Sequence, residues 1–315
     1  MSDFQLPRQC YSRVTLTRIN LASSFSLHLH TMKKILLVLL CLPFLTNAQN
    51  FHFSTRVGLA GYQGDLKQTI SLSQAKLLGS FGVRYDLSEH ITARSYLTLT
   101  SLKGDDKKGT ADMQQRNLNF QSKLFEWELS AQYNIISLND KWWTPYVFAG
   151  IAYYHYNPYT KDKAGNKVYL QPLSTEGEGF APGVSSYKLS GFSLPIGVGF
   201  DYALDEDMRL GIEFGYRKTF TDYLDDVSGN YIDRSALLAA KGQTAVDVAW
   251  RGDEINGAPY PPAGTARGNS KKNDGYYFMS LNFTIRYFFD KYKQIVGLPG
   301  VRKEKKVGCP ATKGG

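Results

Sequence analysis

The stretch Phe125-Glu-Trp-Glu-Leu-Ser-Ala-Gln-Tyr-Asn134 alternates apolar and polar residues without a break. Successive side chains of a β-strand point to opposite faces, so an alternation of this kind gives a strand two unlike faces. One face would carry the aromatic and aliphatic residues, and the other would carry Glu126 and Glu128 among small polar residues. The segment therefore predicts a β-strand that separates an apolar environment from a polar one.

The same period recurs in seven other segments, and the sequence thus predicts eight strands of about ten residues each. They lie around Phe51–Leu59, Leu77–Leu87, Ile91–Leu99, Pro145–Tyr154, Phe192–Tyr202, Arg209–Arg217 and Tyr277–Phe289. Short polar turns at 88–90, 137–141 and 204–207 alternate with long loops at about 63–75, 103–118, 156–190 and 221–275.

Two architectures fit this pattern, a soluble β-sandwich or barrel and an outer-membrane β-barrel. The polar faces carry Arg and Glu but almost no mid-strand Lys, which favours a buried network over a wet surface. Aromatic residues make up 14% of the chain, as expected of a wall with aromatic belts at both membrane interfaces. Strict alternation of short and long connections is typical of barrels with periplasmic turns and extracellular loops.

We therefore predict an all-β fold, an eight-stranded antiparallel transmembrane (outer-membrane) β-barrel. Eight strands leave an interior that side chains fill, so a wide diffusion pore is disfavoured. The predicted interior charge network consists of Arg84, Arg94, Glu126, Glu128, Arg209, Glu213, Arg217 and Arg286.

The net charge of +9, from 37 Lys+Arg and 28 Asp+Glu, first suggests a nucleic-acid partner. Its distribution argues against one. Residues 1–48 carry five basic residues and one acid, and residues 291–315 carry seven basic residues and one acid. The 49–290 segment holds 25 basic and 26 acidic residues, so the predicted barrel is neutral and no nucleic acid is expected. No apolar run reaches about 18 residues, which excludes a multi-helix membrane protein.

The domain organisation follows from the two ends. Met32-Lys33-Lys34, an apolar run and Thr46-Asn47-Ala48 form a signal peptide over 32–48, with cleavage expected after Ala48. Residues 1–31 are then an over-called N-terminal extension, although a long n-region is an alternative. The barrel is assigned to 49–290 and a basic periplasmic tail to 291–315, so the protein is expected in the outer membrane. Cys309 is too isolated to indicate a metal or redox site.

Three segments resemble a known family: Pro145–Pro158, Tyr169–Gly179 and Gly211–Val227, with Tyr231-Ile-Asp233 shortly after. Together with the basic tail they resemble the Bacteroidota outer-membrane barrels around PorG, a component of the type IX secretion system; the same domain is also catalogued as DUF6089. The resemblance covers about 50–310, and its most specific piece is Thr221–Val227. It implies a non-enzymatic barrel in contact with outer-membrane lipid and with the periplasmic ring proteins PorK and PorN.

Four parts of the sequence are candidate functional sites. The family-motif loop holds Asp222, Tyr223, Leu224, Asp225 and Asp226. With Asp233 these acids suggest Ca²⁺, but a structural or hydrogen-bonding role is favoured. The Glu176–Gly179 stretch lacks a phosphate-loop lysine and is expected to be a flexible outer loop. No cofactor is predicted.

Catalysis has one candidate, since only His155 lies near the outer rim and no local acid or serine pairs with it in the sequence. The fourth site is the tail. The tail holds Arg302, Lys303, Lys305 and Lys306. It is a candidate docking segment for an acidic partner, or equally a disordered end held near anionic head groups or peptidoglycan.

Three hypotheses follow. The first is a structural or interaction component of type IX protein secretion. The second is a small barrel for adhesion or passive transport through its long loops, and the third is an outer-leaflet lipid-modifying enzyme that uses His155.

Overall fold

The computed structural model of the chain describes residues 51–205 and 207–286. The strands are β1 (Phe51–Gln63), β2 (Lys76–Asp86), β3 (Ile91–Asp105), β4 (Asn119–Asn134), β5 (Trp143–Lys161), β6 (Lys167–Tyr169), β7 (Ser190–Ala203), β8 (Met208–Thr219) and β9 (Gly275–Arg286). The helices are α1 (Ala111–Arg116), α2 (Arg234–Lys241), α3 (Gln243–Ala249) and α4 (Asp253–Asn256). The predicted leader, extension and basic tail lie outside the described residues.

Eight of the strands form a closed antiparallel barrel. Neighbours in sequence pair with each other, β7 pairs with β5, and β9 closes the ring by pairing with β1. The closing register is unbroken from His52 opposite Arg286 to Gln63 opposite Gly275. The predicted eight-stranded barrel is thus confirmed, and every barrel strand is satisfied on both edges by backbone hydrogen bonds.

The barrel strands are longer than the ten residues expected from periodicity, reaching 19 residues in β5. The additional residues lie at the long-loop end of the barrel, where the strands continue past the apolar band. One strand was not anticipated: β6 pairs back onto the end of β5 as a three-residue hairpin arm. Its Lys-Val-Tyr sequence is too short to show a period, so its pairing depends on β5.

The two faces of the wall differ as predicted. Outward side chains are apolar and exposed; on the paired strands β4 and β5, for example, Leu129 is 45% and Ile151 is 48% exposed. Such a continuous apolar girdle is stable only against lipid. From Trp143 to Tyr153 the outward face of β5 is apolar or aromatic. At about 3.3 Å per residue and a tilt of about 40°, this span is about 25 Å high, the height of an outer-membrane apolar band. Among the described residues, no helix is long and apolar enough to cross a bilayer.

The long loops fold into a cap over one end of the barrel. The connection from β8 to β9 contributes α2, α3 and α4, and the β3–β4 connection contributes α1. Helix α2 begins directly after Asp233, whose carboxylate accepts a hydrogen bond from the backbone N–H of Ala236 at 2.9 Å. Asp233 is therefore an N-cap, and its position is explained by helix geometry.

Candidate functional site

The barrel interior is filled by buried ion pairs. Four arginines (Arg56, Arg84, Arg94 and Arg217) and four acids (Glu126, Glu128, Asp201 and Glu213) are each at most 5% exposed. Their formal charges cancel, as burial in a low-dielectric interior requires. Glycines and small polar residues on the same inward faces leave room for the long guanidinium side chains.

Glu128 lies at the centre of this network. One of its carboxylate oxygens accepts from Arg56 at 3.1 Å and from Arg217 at 2.9 Å, and the other accepts from Arg94 at 3.0 Å. Arg94 also binds Glu213 at 2.7 Å, which links β3, β4 and β8 across the lumen. Because each guanidinium has several fixed donors, a few arginines can connect many strands.

Aromatic side chains complete the network. The Tyr146 hydroxyl donates to Glu213 at 2.8 Å, and the Tyr276 hydroxyl donates to Glu126 at 2.6 Å. The guanidinium carbon of Arg56 lies 3.3 Å from the ring centroid of Tyr96. These contacts give the buried charges two hydroxyl donors and one aromatic face as further partners.

Six of the eight charges expected in the interior meet there, and Arg84 among them pairs with Asp201 at 2.6 Å. The other two lie towards the short-turn end. Arg209 binds Asp86 at 2.8 Å, and Arg286 is 3.9 Å from Asp207 and donates to His52 at 3.3 Å. Sequence reasoning left Arg56 and Asp201 out of the network, although both sit on the inward faces of predicted strands. Their position on those faces was the signal that could have found them.

An apolar layer covers the network at the extracellular end. It combines strand residues such as Tyr62, Leu102 and Tyr276 with the cap residues Leu224 and Val248, all at most 4% exposed. The lumen is therefore closed twice, by ion pairs within the membrane and by apolar packing above it.

The motif loop, residues 221–227, anchors the cap to the barrel. Leu224 is fully buried, and its N–H donates to Asp274 at 2.9 Å. Asp225 accepts from the Tyr62 hydroxyl at 2.5 Å, and Asp226 accepts from Thr175 and Tyr187 at 2.6 Å each. These contacts give Asp225 and Asp226 hydrogen-bonding roles in the cap.

Burial raises the pKa of all three acids of this loop, and the pKa of Asp225 lies well above its usual value. Burial raises the pKa of Asp226 to about 7, against the opposing effect of Arg267, and burial likewise raises the pKa of Asp222 to about 7. Asp222 is 7% exposed, and a hydrogen bond from the Ser228 side chain opposes the rise in its pKa. Tyr223 stacks face to face on Tyr187 with centroids 4.7 Å apart. No group of three His, Cys, Asp or Glu residues within 51–205 and 207–286 is arranged to hold a metal ion.

The Glu176–Gly179 stretch differs from the expected flexible loop, because it is buried and tied down. Glu176 accepts from the N–H groups of Ser228 at 3.0 Å and Gly229 at 2.8 Å, and it pairs with Arg267 at 3.0 Å. Gly177 and Gly179 have φ of 91° and 81°, a conformation that favours glycine. The glycines thus shape a tight turn that brings Glu176 to the motif loop.

His155 has a partner that the sequence did not reveal. Its Nδ1 lies 2.8 Å from Ser190 Oγ on the outward face, because the antiparallel register of β5 and β7 places the two residues opposite each other. Within the described part of the chain no carboxylate contacts this pair.

The cap contains an open cleft of about 720 Å³ between the 176–184 segment and the 223–236 segment. Its walls are mostly apolar, and they include Phe180, Pro182, Val184, Tyr231, Ile232 and Ala236. The cleft shares Glu176, Tyr223, Ser228 and Gly229 with the anchoring contacts above.

Comparison with known proteins identifies the family. The model for the domain of unknown function DUF6089 matches residues 31–237. The chain belongs to this family. The match includes the barrel as far as β8, the motif loop and the first half of α2, so the DUF6089 domain contains most of the anchoring contacts of the cap. A search of curated proteins finds no match.

Several solved structures are similar to the DUF6089 chain. Neisserial surface protein A is 12% identical, with 76% of this chain and 97% of that one covered and a TM-score of 0.38. Ail, the attachment invasion locus protein of Yersinia pestis, is 8% identical, with coverages of 75% and 97% and a TM-score of 0.37. The outer membrane protein OprG of Pseudomonas aeruginosa is 11% identical, with coverages of 75% and 96% and a TM-score of 0.33.

Proposed function

We propose that this DUF6089 barrel is a non-enzymatic component of type IX protein secretion that acts as a structural and interaction element in the outer membrane. The observation that carries the proposal is the closed lumen. A barrel that is filled by balanced ion pairs and sealed by an apolar layer offers its turns, cap and wall for contact, and it offers no path through its centre.

The motif loop supports the same proposal. Thr221–Val227 is the piece that most specifically resembles the PorG-like barrels, and Leu224, Asp225 and Asp226 within it join the cap to strand β1 and to the 175–187 segment. Residues with these roles keep one cap conformation over the barrel. A rigid cap suits a protein that presents a constant surface to an assembly.

A deletion strain tests this role. Loss of the gene should abolish release of the secreted cargo, and the wild-type gene should restore it. A Leu224→Ala variant, which weakens the cap anchor, should restore release only in part, whereas Leu238→Ala on the exposed side of α2 should restore it fully. Normal secretion in the deletion strain, without a paralogue, would contradict the proposal.

A second candidate function, binding of a surface ligand or adhesion, is favoured by the apolar cleft of the cap. Adhesion and secretion can be told apart by separate assays. Adhesion of whole cells to a surface or host matrix should fall when the cleft is filled, for example by Ala236→Trp, while cargo secretion stays normal.

A further inference from the structure

The outward face of β4, β5 and β6 changes character above the apolar band. Below, this face carries Trp127 and Tyr153; above, it carries Lys123, Tyr159 and Lys161. Tyr153 closes the band. At about 3.3 Å per residue and a tilt of about 40°, Lys123 lies about 10 Å above it and Lys161 about 20 Å above it, because Lys123 is paired with Asn157. Both heights lie beyond the hydrocarbon core, on the head-group side of the outer leaflet.

The β5–β6 arm places like charges together. Lys161 is directly opposite Lys167 in the register, and Tyr159 is opposite Tyr169. Like charges in directly opposed positions destabilise a strand pair. The Nζ of Lys167 lies 3.8 Å from the ring centroid of Tyr159 and 4.4 Å from that of Tyr169, which compensates its charge only in part.

Two further lysines extend the patch. Lys123 on β4 is opposite Asn157 on β5, and continuation of the β5–β7 register places Lys188 on the other side of Asn157. Adjacent strands are about 4.8 Å apart, so the two lysines lie about 10 Å from each other at the backbone. Lys167 donates a hydrogen bond to the Tyr169 hydroxyl at 2.9 Å, and this bond and the Lys167 charge lower the pKa of that phenol, with a smaller contribution from Lys123.

No carboxylate neutralises these lysines. Within the described residues, Lys123, Lys161, Lys167 and Lys188 have no acidic side chain within salt-bridge distance. Asp162, which follows Lys161 in the sequence, accepts hydrogen bonds from the backbone and side chain of Asn166, and Asp253 binds Lys163 at 2.8 Å.

We propose that Lys123, Lys161, Lys167 and Lys188, with Tyr159 and Tyr169, bind the phosphate-bearing head group of an outer-leaflet glycolipid. Ammonium groups at a membrane surface attract anionic lipid, and tyrosines are suited to the boundary between sugar and acyl chain. The apolar wall directly below would hold the acyl chains of the same molecule. This site is independent of a role in secretion, because it needs only the wall and the β5–β6 arm.

Native mass spectrometry of the mature full chain in neutral detergent tests the site, with diphosphorylated lipid A as the probe. The test variant combines Lys123→Gln, Lys161→Gln and Lys167→Gln. The control combines Lys107→Gln, Lys271→Gln and Lys272→Gln, three exposed loop lysines, and so removes the same charge. A lysine near an anionic surface contributes about five-fold in affinity, so the test variant should bind about 100-fold more weakly and the control should bind as wild type.

Two further probes test separately whether the phosphates and the acyl chains of the lipid are recognised. Lipid A without phosphates should bind the wild type as weakly as the diphosphorylated lipid binds the test variant. The deacylated phosphorylated disaccharide should bind more weakly than the whole lipid, and equal affinity would overturn the lipid assignment. Equal binding by the test variant and the wild type, or an equal loss in the control, would overturn the site. Heat-modifiable mobility in gels verifies that both variants are folded.

Discussion

Neutralisation of Glu128 is the sharpest perturbation of the barrel. Glu128→Gln retains the shape of the side chain and one acceptor oxygen, but it removes the charge that Arg56, Arg94 and Arg217 share. The interior then holds four arginines against three acids and carries an uncompensated positive charge out of reach of water. Removal of one partner from a buried ion pair costs about 3–5 kcal/mol, and we expect a loss of this size in the free energy of unfolding.

The assay is urea unfolding of the barrel in lipid vesicles, followed by tryptophan fluorescence and by heat-modifiable mobility in gels. Glu89→Gln in the exposed turn between β2 and β3 is the matched control, and it should leave the midpoint unchanged. The double variant Glu128→Gln/Arg56→Gln restores neutrality, so it should be more stable than the sum of the two single losses. Unfolding of Glu128→Gln at the same urea concentration as Glu89→Gln would contradict a buried charge network around Glu128.

Three further outcomes are expected. Leu224→Ala removes a fully buried side chain, and it should cost about 2–5 kcal/mol, seen as faster amide exchange in the cap, whereas Leu238→Ala should change exchange little. Since burial raises the pKa of Asp222 and Asp226 from 3.8 to about 7, the folded cap binds protons that the unfolded chain has released. Stabilisation from this source is fully present below about pH 4 and is lost as the pH rises through 7. Amide exchange at 222–229, corrected for its intrinsic rate, should therefore be faster at pH 8 than at pH 6, with a smaller difference in Asp222→Asn. In planar bilayers the wild-type barrel should show no steady conductance, and liposome swelling with small sugars should equal that of empty vesicles; open channels of constant size would contradict the closed lumen.

The barrel was predictable from the sequence because each strand carries its own period. Phe125–Asn134 shows both faces of the wall without reference to any other segment, and the same is true of the strands around Ile91 and Phe192. The alternation of short and long loops then indicated which end of the barrel faces the periplasm. These signals are local. Once the strands are known, the pairing of antiparallel neighbours follows from their order in the sequence.

The cap and the details of the network were not predictable, because they depend on contacts between distant segments. In the sequence Glu176 is an acid in a glycine-rich loop. In the structure it is bound by Ser228, Gly229 and Arg267. In the sequence Asp201 is one polar residue among several in β7. Its pairing with Arg84 of β2 arises only when the barrel closes. The contact between His155 and Ser190 depends on the register of β5 and β7.

In-cell crosslinking tests the central claim most directly. A photo-crosslinking amino acid at Asn139, in the short periplasmic turn between β4 and β5, should capture the periplasmic ring lipoprotein in intact cells. The same amino acid at Ala164, in the extracellular turn between β5 and β6, should not. Capture of the ring lipoprotein from position 139 alone is the predicted result. Its absence from position 139 in cells that secrete normally, or equal capture from position 164, would contradict a role for this barrel in the secretion machine.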